Sequence, residues 1–221
     1  MLKNEYDGLR SFLQLCEQHG EVTTITGADW NLEIGAITEA TSELIKEPPA
    51  LLFDEIKGYP KGRRVLSIPT ASRIRMNLAL GLPVDTPKME IVRHAAKKLR
   101  AAPPIPPREV ETGPVMQNVM RGEDVDLTQF PVLKSHPLDG GRYIGTGDSV
   151  INRDPETGYV NVGTYRIQMH QGDKLGIWMS PGQQGKLICE RYWKQGKACP
   201  VAVTFGADPL IFFLSYTKFP F

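Results

Sequence analysis

The sequence predicts an α+β fold in two parts: a small N-terminal α/β domain over residues 1–102 and an antiparallel β domain over 114–221, joined by a Pro-rich linker at 103–113. Three observations lead there. In the first part, apolar residues switch between helical and strand spacing. Four prolines then crowd Ala101-Ala-Pro-Pro-Ile-Pro-Pro-Arg108. Beyond them, short segments alternate in polarity between Asp/Gly turns.

Leu9, Phe12, Leu13 and Cys16 recur at helical spacing and stop at Gly20, an amphipathic helix with a glycine end. Glu21-Val-Thr-Thr-Ile25 reads as a strand. Ile37, Ala40, Thr41, Leu44 and Ile45 give a second helix, and Ala50-Leu-Leu-Phe53 and Val65-Leu-Ser-Ile68 are short strands bounded by Pro and Gly. Thr86-Pro87 opens a further helix from Lys88 to Ala101, since Pro suits the first helical position. The prolines that follow remove backbone donors and stiffen the chain, which marks a boundary between folding units.

After the boundary, Tyr143-Ile-Gly-Thr, Ser149-Val-Ile, Tyr159-Val-Asn-Val and Tyr165-Arg-Ile-Gln-Met169 read as antiparallel strands, separated by turns at Asp139-Gly-Gly and Asp154-Pro-Glu-Thr-Gly158. Gln183 to Lys194 places Leu187, Ile188 and Tyr192 near helical spacing, and Val201-Ala-Val-Thr-Phe205 is another strand. A helix inserted between strands points to a split β-barrel rather than a simple sandwich.

With 26 Lys+Arg against 25 Asp+Glu the formal charge is +1, which gives no basis for the phosphate-backbone binding of a nucleic-acid protein. Cys16, Cys189 and Cys199 show no CxxC spacing, and their odd number argues for buried reduced thiols. No apolar stretch reaches the length of a membrane span, and the N-terminus has no apolar segment behind Lys3, so a cytoplasmic protein without a membrane partner is expected.

Asn161 and Arg166, in Asn161-Val-Gly-Thr-Tyr-Arg166, and the adjacent amides of Pro181-Gly-Gln183-Gln184-Gly185 are the residues best suited to chemistry. An amide oxygen, a guanidinium and an amide pair on neighbouring strands suit a phosphate-bearing cofactor held through a cation. On one strand, Asn161 and Arg166 would face opposite sides unless a bulge at Gly163 resets the phase, and a polar edge strand with a solvated arginine is the alternative. Of the histidines, His19 caps the first helix and His94 belongs to a solvated face with Lys97, Lys98 and Arg100. His136 and His170 read as structural or exposed, because no second His or Cys stands at metal spacing.

Taken in order, Leu9-Arg-Ser-Phe-Leu13, Lys57-Gly-Tyr-Pro60, Asp139-Gly-Gly-Arg-Tyr-Ile-Gly-Thr146, Asp154-Pro-Glu-Thr-Gly158, Asn161-x4-Arg166, Pro181-Gly-Gln-Gln-Gly185 and Cys199-Pro-Val-Ala-Val203 resemble the UbiD-like decarboxylases over essentially the whole chain. The resemblance implies a truncated flavin-binding split barrel and the use of prenylated FMN, from a flavin prenyltransferase, to decarboxylate or reversibly carboxylate aromatic or α,β-unsaturated acids. It implies that Asn161 binds a divalent metal, Mn²⁺ or Mg²⁺, on the cofactor phosphate, and that Arg166 lies by the flavin and orients the substrate carboxylate. Thr146 and Gln183 would contact the flavin, and Ser215 would fall at a K⁺ site. Gln184 stands where the family commonly has a metal-binding histidine, and a neutral amide oxygen is a weaker and harder donor than imidazole. A helix-start amide that binds nothing is the other reading of Gln184. The family's metal-binding glutamate and its two proton-handling glutamates are expected beyond Phe221, and family members associate into oligomers. A non-catalytic flavin-binding or partner-binding subunit, needing another chain for those acids, is the alternative function.

Overall fold

The computed structural model describes residues 6–101, 105–106 and 108–216, so much of the Pro-rich linker lies outside the described residues. Helices and strands are mixed throughout. Helix α1 (Leu9–Gln18) leads to β1 (Val22–Thr26), α2 (Glu33–Leu44), β2 (Ala50–Asp54), β3 (Val65–Ser67), α3 (Arg73–Leu80) and α4 (Lys88–Ala101). Three short 3₁₀ turns between Pro114 and Gln129 precede β4 (Arg142–Gly145), β5 (Asp148–Arg153), β6 (Val160–Gly163), β7 (Arg166–Gln171) and β8 (Lys174–Trp178). The chain continues through α5 (Gln184–Lys194), β9 (Val201–Phe205) and α6 (Pro209–Ser215).

The first sheet has the order β1-β2-β3, with β2 parallel to β1 and antiparallel to β3. Its central strand, β2, is buried on both faces, as its unbroken Ala-Leu-Leu-Phe run requires. Ile34 of α2 packs with Leu51 and Phe53 of β2 on one side, while Phe12 and Cys16 of α1 pack with Leu78 and Ala79 of α3 on the other.

Helix α3 is absent from the sequence expectation, although its start and stop signals are present. The Ser72 hydroxyl accepts from the Arg75 N–H, and Gly81 ends the helix in the left-handed region at φ 66°. Arg75 and Asn77, both 0% exposed, interrupt the apolar period there. All five N–H donors of Arg75 are used: Nε donates to Pro69 O (2.9 Å), Nη1 to Glu21 O (3.2 Å) and Glu21 Oε2 (2.8 Å), and Nη2 to Pro48 O (2.8 Å) and Ile68 O (3.1 Å).

The β region forms two antiparallel three-stranded sheets, β4-β7-β8 and β6-β5-β9, with no ladder joining them among the described residues. The two parts of the chain are in direct contact. The Leu32 N–H donates to Lys134 O and the Lys134 N–H to Trp30 O, and Arg142 of β4 lies over the Trp30 ring at 3.8 Å. Gly35 of α2 permits the crossing, since a Cβ there would meet Ser135 O at 2.3 Å. Helix α6 returns to pack against α3, where Leu210 joins the cluster around Phe12.

Candidate functional site

Asn161 ends up on β6 and Arg166 on β7, in different sheets, because the chain crosses between them at Thr164-Tyr165. The expected bulge at Gly163 is absent. Strand β6 pairs with β5 in unbroken register through Gly163 and Val150. The glycine has another purpose: Tyr165 folds back over it, and a Cβ would stand 2.6 Å from the ring. Tyr165 is thereby buried with Val150 and Ile167 between the sheets.

A cavity of about 360 Å³ opens at the crossing, towards the lower end of the size range of small-molecule sites. It brings together Thr146, Arg166 and Gln183, with Thr164, Tyr165 and Trp178 completing most of its wall. Arg166 is exposed at the head of β7, its guanidinium 5.8 Å from the centre of the Tyr143 ring. Gln183 precedes α5 and is fixed by the Ser180 N–H, which donates to its Oε1 at 2.7 Å.

Asn161 does not line the cavity. It is 4% exposed and lies behind the wall, where a Cβ on Gly185 would come within 2.5 Å of the Tyr165 hydroxyl and 3.2 Å of Asn161 Nδ2. Its Nδ2 donates to Asn152 Oδ1 at 3.2 Å, and Asn152 Nδ2 donates to Gly185 O at 3.0 Å. Asn161 is thus tied to the first turn of α5 through Asn152. Gln184, the first residue of α5, accepts from the Tyr159 hydroxyl at 3.5 Å, and its buried Nε2 has no partner among the described residues. Ser215 hydrogen-bonds Thr164, one of the cavity residues, and donates to Phe212 O at 2.6 Å.

These residues fit a phosphorylated ligand with a hard cation. The first N–H groups of α5 suit a phosphate oxygen, and the buried, unpartnered end of the Gln184 amide suits a hard cation such as Mg²⁺ or Mn²⁺ once its nitrogen and oxygen are exchanged. Among the described residues no group of three His, Cys, Asp or Glu side chains could hold a metal, so any cation here would take amide and phosphate oxygens.

Asp148, Thr164 and Tyr165 were not singled out by the sequence. Asp148 begins β5 and is 1% exposed. Its Oδ1 accepts from the Tyr165 N–H at 3.2 Å and its backbone oxygen from the Thr164 hydroxyl at 3.1 Å, so it clamps the crossing that carries Arg166. Its Oδ2 is buried without a partner among the described residues. Burial pushes the carboxyl up from 3.8 to about 6, against the pull of the Tyr165 N–H.

An acid that holds its proton more tightly when folded contributes most to stability at low pH. The contribution is full below the unfolded value of 3.8, declines as pH rises, and is lost above about 6. Asp148→Asn keeps the acceptor for Tyr165, so it is expected to raise stability by about 2–3 kcal/mol at pH 8 and by little at pH 4. Urea unfolding at the two pH values measures this, and an equal effect at both would rule out the carboxylate charge as its origin.

The histidines are placed mostly as expected. His19 is the C-cap of α1, His136 is exposed between Glu39 (3.5 Å) and Asp139 (3.7 Å), and His170 is exposed. His94 departs from the expected solvated face: it is half-buried, and its Nε2 is enclosed without a partner among the described residues. All three cysteines are free; Cys16 and Cys189 are buried, whereas Cys199 is partly exposed. Among the described residues no helix is long and apolar enough to cross a membrane.

Comparison with known proteins gives a consistent picture. Residues 13–99 match the UbiD N-terminal domain, described as the 3-octaprenyl-4-hydroxybenzoate carboxy-lyase N-terminal domain, and residues 108–221 match the corresponding Rift-related domain. The pyrrole-2-carboxylic acid decarboxylase of Pseudomonas aeruginosa is 36% identical over 208 residues, covering 90% of this chain and 41% of that protein. The vanillic acid decarboxylase of Sedimentibacter hydroxybenzoicus, solved in closed form, superposes with a TM-score of 0.88 at 31% identity, covering 96% of this chain and 45% of that one. An evolved dimeric form of the UbiD-class enzyme HmfF from Pelotomaculum thermopropionicum, in complex with prFMN, gives a TM-score of 0.78 at 28% identity, covering 92% and 45%. The chain therefore spans less than half the length of these relatives.

Proposed function

The chain belongs to the UbiD family, and from that premise we propose that it forms the cofactor-binding part of a decarboxylase that acts on an aromatic or α,β-unsaturated carboxylic acid through prenylated FMN. The observation that carries the reading is the meeting of Thr146, Arg166 and Gln183 on one cavity, with Asn161 and Gln184 against the adjoining first turn of α5. Relatives that are decarboxylases of aromatic acids, and a neighbour holding prFMN, support it. The two separate sheets are read as halves of a split barrel, with 1–102 as a distinct domain.

In this reading the start of α5 takes the cofactor phosphate. Asn161 Oδ1 holds the divalent cation, Mn²⁺ or Mg²⁺, together with Gln184 once its amide ends are exchanged. Thr146 and Gln183 contact the flavin, and Ser215 contributes to a K⁺ site that borders the cavity through Thr164. When bound, prenylated FMN supplies the electron sink for the pair released as CO₂ leaves. The planar Arg166 fork holds the substrate carboxylate by paired hydrogen bonds and sets the breaking C–C bond against the cofactor. Trp178, 69% exposed, gives the site a flat apolar wall. Among the described residues lining the cavity there is no carboxylate, and in this reading an acid from another segment or chain is the proton donor to product. Homo-oligomerisation and supply by a flavin prenyltransferase follow as partners of the same reading.

The test is flavin retention. Incubation with prenylated FMN and Mn²⁺ followed by desalting is expected to leave the flavin absorbance with the protein, and Asn161→Ala is expected to lower retention at least tenfold. Flavin lost to the wash with the unaltered protein would overturn the proposal.

A further inference from the structure

Cys189 and Cys199 meet beside Asn152, although no CxxC spacing joins them in the sequence. Asn152 lies on the middle strand β5, opposite Asn161 of β6 and Val201 of β9. Its Nδ2 faces Cys189 Sγ at 3.6 Å and Cys199 Sγ at 3.9 Å, besides Gly185 O at 3.0 Å. The two thiols also hydrogen-bond one another, and burial together with that contact pushes the Cys199 thiol up to about 11. At neutral pH the pair therefore rests as two protonated thiols. Cys189 is 5% exposed and fixed on α5. Cys199 is partly exposed and precedes β9 on irregular chain, next to Pro200, which has no N–H for a ladder. The helix holds one sulfur, and the other is free to shift towards it.

We propose that Cys189 and Cys199 are a reversible disulfide site whose closure moves the Asn152 amide and, through it, the first turn of α5. The oxidant is a low-molecular-weight disulfide such as glutathione disulfide. The Cys199 thiolate, the accessible one, attacks it and releases one glutathione thiolate; the Cys189 thiolate then attacks the Cys199 sulfur and releases the second. Two protein thiols are oxidised to one disulfide, one glutathione disulfide is reduced to two thiols, and the two thiol protons pass to the released glutathione. Closure draws the sulfurs together, so at least one leaves its place beside Asn152 Nδ2. The same amide accepts from Asn161 Nδ2 and holds Gly185 O, which carries the movement to the start of α5. This inference stands apart from the cofactor reading.

The full chain, equilibrated at about pH 8.5 with reduced and oxidised glutathione and quenched with acid, tests it by thiol titration and peptide mass mapping. The free-thiol count is expected to fall from three to one, with Cys189 joined to Cys199 and Cys16 still free, and to return to three in dithiothreitol. Cys189→Ser is expected to stop at the mixed disulfide of Cys199, and Cys199→Ser to leave the buried Cys189 reduced. The side-chain amide resonances of Asn152 and Asn161 and the backbone resonance of Gly185 are expected to shift on closure and to recover on reduction, while the side-chain amide of Asn77 in α3 stays in place. Three thiols still free, a lasting mixed disulfide on Cys199 in the unaltered protein, or a bridge to Cys16 would overturn the site. Unmoved Asn152, Asn161 and Gly185 resonances in the bridged protein would overturn its coupling to α5.

Discussion

Arg75→Ala is expected to lower the unfolding free energy by about 3–5 kcal/mol, a large share of the 5–15 kcal/mol typical of a folded protein. The guanidinium is 0% exposed, and it ties Glu21 at the start of β1 to the carbonyls of Pro48, Ile68 and Pro69. Once the cation is gone, the Pro48 and Pro69 carbonyls lose their donors, and a carboxylate that is 14% exposed keeps only the Ser72 hydroxyl and loses its counter-charge; each unmet group costs about 1–3 kcal/mol before relaxation and water entry recover part of it. Arg75→Lys is expected to recover only part of the loss, because an ammonium has three donors and no planar fork. Urea unfolding of the three proteins decides the matter. A loss below about 1 kcal/mol for the alanine variant would mean that water replaces the guanidinium freely.

On the proposed function, Arg166→Lys is expected to lower kcat/KM for decarboxylation by about 10²-fold or more, roughly 3 kcal/mol of transition-state stabilisation, while flavin retention and the unfolding midpoint stay close to those of the unaltered protein. The charge survives in the variant. What disappears is the planar pair of donors that fixes a carboxylate in one orientation, together with the stacking of a delocalised cation near the Tyr143 ring. Because Arg166 is exposed at the head of β7, little of the fold depends on it. Steady-state kinetics of the protein loaded with prenylated FMN, together with the segment or chain that supplies the proton donor, provides the measurement. Activity within threefold of the original would remove Arg166 from the reaction.

The period of apolar residues located α1, α2, α5 and most strands, while α4, of which only Ile91 is buried, was marked by its Thr86-Pro87 start. It passed over α3, where Arg75 and Asn77 occupy core positions that the pattern reserves for apolar side chains, and over β8, whose alternation is interrupted by Gly176. Helix α6 also escaped notice, although Asp208 accepts from the Leu210 N–H and Pro209 holds the first helical position. At the site, the order of motifs named Thr146, Arg166 and Gln183, and the fold places them on one cavity. The relation of Asn161 to Arg166 was misjudged for a specific reason. Alternation fixes which face a residue occupies only within one strand, and nothing local in Gly163-Thr-Tyr165 announces that the chain changes sheets. Asp148 was equally silent, since a lone acid at a strand start looks solvated until the opposite sheet closes over it.

Helix α6 gives the molecule a thermodynamic character of its own. One end of it holds Leu210 among the side chains around Phe12, and the other presents Ser215 to Thr164 beside the cavity. A ligand seated there is consequently felt by the N-terminal helices some distance away. Melting of those helices and emptying of the pocket should be recorded by a calorimeter as one event, so that ligand added to the β region raises the temperature at which the whole chain lets go.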